Sequence, residues 1–472
     1  MTEHTNSSID TTMFKAYDIR GIVDVTLTEQ AARQIGQALG SEAKARGEQH
    51  IYVAYDGRLS GPRLSDALVE GLLSTGCDVT NIGMVPTPVL YFAAYSLGSG
   101  SGVMVTGSHN PPEYNGLKMV LAGDTLAGDD IQALLKRIQD RDVVKDQGKD
   151  QGNGQGKTQQ LDVVDDYIRR ISSDVSLTRK MKVIVDCGNG VAGEAAPKLL
   201  RALGCEVEEL FCEIDGNFPN HHPDPSQPEN LVDLQHALKD SDADIGLAFD
   251  GDGDRLGVIT KQGNVIWADR QMMLYAKDVL SRNPGAEIIY DIKCTRHLEA
   301  EIVAAGGKAT MWKTGHSFIK AKLKQSGALL AGEMSGHIFF KERWFGFDDA
   351  LYTAARLLEI LARDSRDAET LFAEFPDSVN TPEIKLKMPE GEHYLLIEKL
   401  VNNANFGAAT LTTIDGIRAD FDDGFGLVRA SNTTPCLVFR FEGEDQAALD
   451  RIQSQFRDLV REQTAGAVEI PF

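Results

Sequence analysis

The 472-residue sequence carries 48 Lys+Arg against 70 Asp+Glu, a formal net charge of −22. So acidic a chain argues against nucleic acid as a partner, because phosphate backbones need a basic surface, and an anionic ligand would need a local positive cleft. Hydrophobic content of 42% and charged content of 25% fit a soluble globular protein of about three or four domains. The N-terminal "MTEHTNSSID" has no apolar core of a signal peptide, and no run of about 18 apolar residues predicts a membrane span. Cys77, Cys187, Cys205, Cys212, Cys294 and Cys436 are scattered without a C-x-x-C pair. They read as small buried hydrophobes in a reducing cytoplasm.

Strand and helix alternate through the first part of the chain. "HIYVAYD" reads as a strand, "GPRLSDALVEGLLSTG" as a helix, "CDVTNIG" and "GVMVT" as strands, and "DDIQALLKRIQDR" as a helix. After "GVMVT" comes "TGSHNPPEYNG", residues 106–116. Gly107 permits a sharp turn and the two prolines end regular structure. Ser108 is therefore expected at a strand end, presented rather than packed. Residues 144–160, "VKDQGKDQGNGQGKTQQ", lack apolar periodicity and read as a flexible linker. "GNGQGKT" within it imitates a P-loop, but Gln151 stands where the first glycine belongs and no strand precedes it.

A second alternating block runs from "LDVVDDYIRRISSD" through strands "KVIVDC", "CEVEELFC" and "DIGLAFD". Gly188, Gly190 and Gly193 satisfy G-x-G-x-x-G after a strand, with Glu213 about 20 residues on, as a dinucleotide fingerprint asks. "DGDGDRLG" (250–257) begins like a calcium loop, but Arg255 and Lys261 occupy the positions that need Gly and Glu. Its Asp250, Asp252 and Asp254 follow an apolar strand. Burying three like charges calls for a cation, and an all-carboxylate set suits Mg²⁺. Arg255 beside them suits a phosphate ligand.

A third block includes "AEIIYDI", "TRHLEAEIVAAG", "KATMWKT", "HSFIKAKLKQSG" and "ALLAGE". Repeated alternation predicts α/β domains with largely parallel sheets. In "GEMSGH", Glu333, Ser335 and His337 alternate, and a locally extended backbone would point them the same way, toward sugar hydroxyls. The last hundred residues are α+β. They contain "RASNTTP", where Arg429, Ser431, Asn432, Thr433 and Thr434 form a candidate phosphate cradle. Tyr17 and Arg20 in "KAYDIRG", Lys293 in "KCTR" and His316 in "KTGHSFIK" add polar and cationic groups near strand ends.

The order "TGSHNPPEYNG", "DGDGDR", "GEMSGH", "RASNTTP" resembles the α-D-phosphohexomutase superfamily, in its bacterial phosphomannomutase/phosphoglucomutase branch. The resemblance runs from "FKAYDIRG" to the last strand. It implies a four-domain architecture around a central cleft, three related α/β domains with mixed sheets plus a C-terminal α+β domain. The expected boundaries are 1–160, 161–263, 264–376 and 377–472. The resemblance makes Ser108 the phosphoryl carrier. Mg²⁺ would sit on Ser108, Asp250, Asp252 and Asp254. Arg20, Lys118 and Arg255 would offset charge, and His109, Lys118 and His316 are acid/base candidates. Tyr17, Lys293, Glu333, Ser335, His337 and the 429–434 loop would hold sugar phosphate. The implied reaction moves phosphate between C6 and C1 of mannose or glucose through a hexose 1,6-bisphosphate, with the fourth domain turning near "EFPDSVNTPE". Expected partners are small sugar phosphates, with no nucleic acid or membrane, in a cytoplasmic monomer or weak homo-oligomer. The alternatives are a phosphoglucosamine mutase, an NAD-dependent dehydrogenase built on the glycine fingerprint, and a non-enzymatic sugar-phosphate or metal binder.

Overall fold

Apolar runs such as "IYVAY" bury both faces only if a sheet is covered on each side. The computed structural model describes residues 9–144 and 156–472 and meets that requirement with helix-covered sheets. The chain packs as two units, one of residues up to Ala268 with Ser335–Leu371, the other of Asp269–Met334 with Phe372–Phe472. Among the described residues no helix is long and apolar enough to cross a membrane.

In the first unit, strands Asp78–Met84, His50–Tyr55 and Gly102–Val105 are mutually parallel neighbours. Tyr114–Leu121 then pairs antiparallel with Gly102–Val105 and with Ile19–Ile22. Helices Glu29–Ala45 and Gly61–Leu73 pack backbone to backbone. A Cβ on Gly71 would stand 2.2 Å from the Arg33 carbonyl oxygen, and one on Gly36 2.3 Å from that of Leu68. The second sheet orders Val265–Ile266, Leu256–Thr260, Ile245–Phe249, Lys182–Asp186 and Glu206–Leu210. Its Ile245–Phe249 and Leu256–Thr260 strands form an antiparallel hairpin, so the aspartate loop is that hairpin's tip. An aromatic cluster joins helix Thr87–Ser96 to Val164–Asp174 and to the 335–371 segment. Trp344 stacks on Tyr352 with centroids 4.3 Å apart, and Phe92 meets Tyr167 at 5.5 Å. Asp349 lies inside the cluster, accepting from Tyr167 Oη at 2.7 Å and Trp344 Nε1 at 3.1 Å. Burial pushes its carboxyl up to about 7.

In the second unit, strands Lys308–Trp312, Glu287–Asp291 and Leu330–Gly332 lie parallel. The last hundred residues form an antiparallel sheet in which Cys436–Gly443 is flanked by Gly424–Ala430 and Ile384–Lys387, covered by helix Gln446–Gln463. Arg418 fastens the two parts, its Nη1 donating to the Ile292 and Cys294 carbonyls at 2.7 Å each. Lys293 Nζ adds a 2.6 Å bond to Glu383 Oε1.

One expectation changes, and one helix goes unforeseen. Residues 145–155 of the proposed linker lie outside the described residues, but its end is not linker: Thr158–Gln160 pairs parallel with Asp78–Met84. Main-chain pairing needs no apolar side chains, and all three residues are exposed. Helix Thr87–Ser96 had no sequence signal, because it is apolar nearly all round and shows no amphipathic period.

Gly71→Ala is expected to cost about 1–3 kcal/mol through overpacking and to lower the melting temperature by several degrees; an unchanged melt contradicts the close approach. Burial raises the Glu383 carboxyl, but Lys293 overrides it and draws it down to about 2. A depressed carboxyl stabilises the fold above its unfolded value and loses that contribution as pH falls through the folded one. Glu383→Gln should therefore melt lower than the native protein near neutral pH. The gap should close as pH drops from 4.5 toward about 2; a gap that stays constant over that window counts against the pairing.

Candidate functional site

Ser108 follows strand Gly102–Val105 and holds a left-handed backbone, φ 50°, which costs a non-glycine residue on the order of 1–3 kcal/mol. Its N–H donates to Thr106 Oγ1 at 2.8 Å, and its Oγ lies 3.1 Å from both His109 Nδ1 and Asp250 Oδ2. The expectation of a presented serine is corrected here: Ser108 is 1% exposed. The aspartate loop packs over it, so closely that a Cβ on Gly251 would stand 2.3 Å from the Ser108 carbonyl oxygen.

Asp250, Asp252 and Asp254 have no solvent exposure, and each offers an oxygen within 4.8 Å of the others. One oxygen of each is already held. Asp250 Oδ1 accepts from the Asp254 and Arg255 main-chain N–H groups at 3.0 and 3.1 Å. Asp252 Oδ2 accepts from Thr87 Oγ1 at 2.5 Å and Lys118 Nζ at 2.7 Å, and Asp254 Oδ2 from Lys118 Nζ at 2.5 Å. The Oδ1 atoms of Asp252 and Asp254 are buried without a geometric hydrogen bond, the latter 3.3 Å from His337 Nε2, and Asp250 Oδ2 faces Ser108. Bare, converging carboxylate oxygens fit a hard divalent cation. Burial, with Asp254 and Asp252 adding to it, pushes the Asp250 carboxyl well up. Burial acts the same way on Asp254, but Lys118 and His337 outweigh it and hold that carboxyl well down. Burial disfavours the Lys118 ammonium too, yet Asp252 and Asp254 keep it charged. Burial, then Arg255 and Arg20, push the His109 imidazole well below its usual range, so it stands neutral.

Other predicted residues of the first unit gather nearby. Arg20 donates to Asn110 Oδ1 at 2.6 Å and pairs with Asp18 at 2.5 Å. Arg255 Nε donates to His337 Nε2 at 3.2 Å and lies 3.9 Å from Asp250 Oδ2. His337 Nδ1 lies 3.0 Å from Ser335 Oγ. Tyr17 is half-buried, just after the 3-10 helix Thr11–Met13.

The second unit holds another set. Gly315 N–H donates to Glu333 Oε1 at 2.6 Å, immediately before helix His316–Ser326. Asp415 Oδ2 accepts from both Thr314 N–H at 3.0 Å and Arg429 Nε at 2.8 Å. Glu333, His316 and Arg429 are thereby tied to one loop. Ser431 Oγ sits 3.3 Å from Thr433 Oγ1 and 3.1 Å from Thr434 Oγ1, with Asn432 part-buried between them. Lys293 is 4% exposed and committed to Glu383. The extended reading of "GEMSGH" is corrected: Gly336 takes φ 104° and residues 334–336 form a turn, so Glu333, Ser335 and His337 do not share one strand face.

The glycine fingerprint serves backbone packing. A Cβ on Gly193 would stand 2.0 Å from the Cys212 carbonyl oxygen, and one on Gly190 2.9 Å from that of Gly251. Sequence reasoning missed Asp56, Arg58, Thr87, Thr106 and Asp415. Asp56 and Arg58 had one signal, two charges at the C-terminal end of a parallel strand, where ligands of α/β sheets gather.

Models of the phosphoglucomutase/phosphomannomutase α/β/α domains I, II and III match residues 11–144, 165–263 and 267–379, and that of the C-terminal domain matches 383–459. A Pseudomonas aeruginosa protein named phosphomannomutase/phosphoglucomutase is 55% identical over 465 residues, 98% of each chain. A Neisseria gonorrhoeae phosphoglucomutase is 56% identical over 456 residues, 96% of this chain and 98% of its own. The crystal structure of a phosphoglucomutase/phosphomannomutase family protein from Burkholderia thailandensis superposes with a TM-score of 0.92 at 55% identity, over 98% of this chain and 100% of that one. With a catalytic-looking serine against three buried aspartates and four matched domains, the chain belongs to the phosphoglucomutase/phosphomannomutase family.

Proposed function

We propose that this chain interconverts the 1- and 6-phosphates of mannose and glucose, with Ser108 carrying the phosphoryl group. The observation that carries the reading is the placement of Ser108 Oγ 3.1 Å from Asp250 Oδ2, beside a bare Asp252 Oδ1 and an Asp254 Oδ1 whose one near donor group is His337 Nε2 at 3.3 Å. The names of the 55–56% identical relatives support it.

Phosphoserine at 108 would lose its Oγ–P bond as a sugar hydroxyl oxygen bonds the same phosphorus, the hydroxyl's proton leaving to a base of the site and Ser108 Oγ taking up a proton as it departs, giving a hexose 1,6-bisphosphate. Turning that intermediate and transferring its other phosphate back to Ser108 Oγ completes the exchange. Such transfers depend on positioning and charge compensation. Asp250, Asp252 and Asp254 would hold Mg²⁺, which supplies positive charge to the moving phosphoryl oxygens. Lys118, Arg20 and Arg255 add fixed cations. His109, neutral and 3.1 Å from Ser108 Oγ, is placed to exchange a proton with that oxygen; Lys118 and His316 remain the other candidates. Arg429, Ser431, Asn432, Thr433 and Thr434 would take the substrate's standing phosphate. Glu333, Ser335, His337 and Tyr17 would take sugar hydroxyls and the remaining phosphate oxygens, and Lys293 would join them only by giving up its bond to Glu383. The domain limits 1–160, 161–263, 264–376 and 377–472, a cytoplasmic location and a monomer or weak homo-oligomer belong to the same proposal.

The purified protein assayed with mannose 1-phosphate, glucose 1-phosphate and glucosamine 1-phosphate should turn over the first two. Intact mass should show one phosphoryl group, absent from Ser108→Ala, which should lose nearly all turnover. Preference for the amino sugar would move the chain to the phosphoglucosamine mutases, and a fully active Ser108→Ala would sink the proposal. Chelation should abolish turnover and Mg²⁺ restore it. Asp252→Asn should weaken Mg²⁺ binding by calorimetry while leaving the melting curve of the metal-free protein close to native.

A further inference from the structure

Arg58 lies outside every motif the sequence singles out, yet it is 2% exposed and surrounded by the serine loop. All five of its guanidinium N–H groups can be accounted for. Nη2 donates to the main-chain oxygens of Ser108 at 2.8 Å and Asn110 at 2.6 Å, Nη1 to those of Pro111 at 2.6 Å and Tyr114 at 2.9 Å, and Nε to Asp56 Oδ2 at 3.2 Å. Asp56 binds the other strand of the same turn, accepting from Thr106 Oγ1 at 2.7 Å and Gly107 N–H at 3.2 Å. Four main-chain carbonyls between 108 and 114 are thus held by one planar cation. Gly107 leaves the room: a Cβ there would stand 2.5 Å from Arg58 Cζ and Nε.

We infer that Arg58 is the positioning residue of the phosphoryl carrier, holding Ser108 in its left-handed conformation with Oγ aimed at the aspartates while charge on that oxygen comes and goes. The inference rests on the reading of Ser108 as carrier. Phosphorylation adds about two negative charges to Oγ, and a loop bonded only to itself would move with each addition and loss. Four carbonyls turned onto a buried guanidinium leave it no comparable alternative partner. A lysine would supply one tetrahedral ammonium, which cannot address four carbonyls and a carboxylate in the plane of a fork.

The test is Arg58→Lys in the full-length protein, with Gly107→Ala and the double variant beside it. Arg58→Lys should keep its melting transition and Mg²⁺ affinity, leave KM for glucose 1-phosphate near native, and lose about a hundredfold in kcat, the cost of misplacing a reacting group by about 1 Å. Gly107→Ala, which displaces the guanidinium, should lose a similar factor, and the double variant should lose no more than the worse single one. Amide exchange of residues 107–114 should speed up in Arg58→Lys while strand Gly102–Val105 stays protected. Native kcat in Arg58→Lys, a loss confined to KM, fully additive losses, or unchanged loop exchange each overturn the inference. The exchange measurement needs no turnover, so a failure of the mutase assignment and a failure of the Arg58 clamp give different results.

Discussion

Three carboxylates with no solvent exposure converge beside one hydroxyl, and the rest of the site is an answer to their mutual repulsion. The answer in the protein itself is partial. Lys118 is shared by Asp252 and Asp254, and two main-chain N–H groups serve Asp250. These partners take one oxygen of each; of the others, Asp250 Oδ2 faces Ser108, Asp254 Oδ1 has His337 at 3.3 Å, and Asp252 Oδ1 is bare. Such an arrangement is costly for a structural turn, which would either expose its aspartates or saturate them. It makes sense where a divalent ion completes the set, because the same geometry that repels three carboxylates attracts a hard cation.

Burial of Ser108 belongs to the same logic. If Ser108 carries the phosphoryl group as proposed, burial shields it: a phosphoserine in open water is exposed to hydrolysis, whereas one under the aspartate loop would meet mainly acceptor hydroxyls brought to it. The depressed His109 imidazole follows first from burial, with Arg255 and Arg20 acting in the same direction. A cationic imidazole there would add charge that Lys118 and the arginines already provide; in the proposed reaction a neutral one would accept a proton from Oγ and, once protonated, return it.

Much of this was legible before any coordinates, because the chemistry is carried by short runs. "TGSHNPP" announces a turn at a strand end, and "DGDGDR" places three acids where only a cation would tolerate them. The alternation of strand and helix gave the sheets their parallel cores. What stayed hidden depends on distant pairings. Nothing near "VAYDGR" says that Arg58 would reach the carbonyls of 108–114, since the partner groups are main-chain atoms without sequence identity. The strand Thr158–Gln160 is invisible for the same reason, being held by backbone pairing with exposed side chains. "GEMSGH" misled because a period-two pattern predicts one face only if the backbone is extended, and Gly336 at φ 104° bends it.

The glycine fingerprint shows how one physical demand produces two look-alike sequences. In dinucleotide sites, glycines let a backbone approach a pyrophosphate. Here the approaching partner is another loop: Gly190 meets the main chain of Gly251, and Gly251 meets that of Ser108, with clearances of 2.9 and 2.3 Å for an added Cβ. Three segments far apart in sequence are stacked backbone on backbone, so the aspartate loop is gripped from both sides. A side chain at either glycine would push the carboxylates away from the serine oxygen. The absence of side chains at positions 190 and 251 is therefore part of what keeps Asp250 within hydrogen-bonding distance of Ser108, and the "GNG" run reports on metal-loop geometry rather than on a nucleotide.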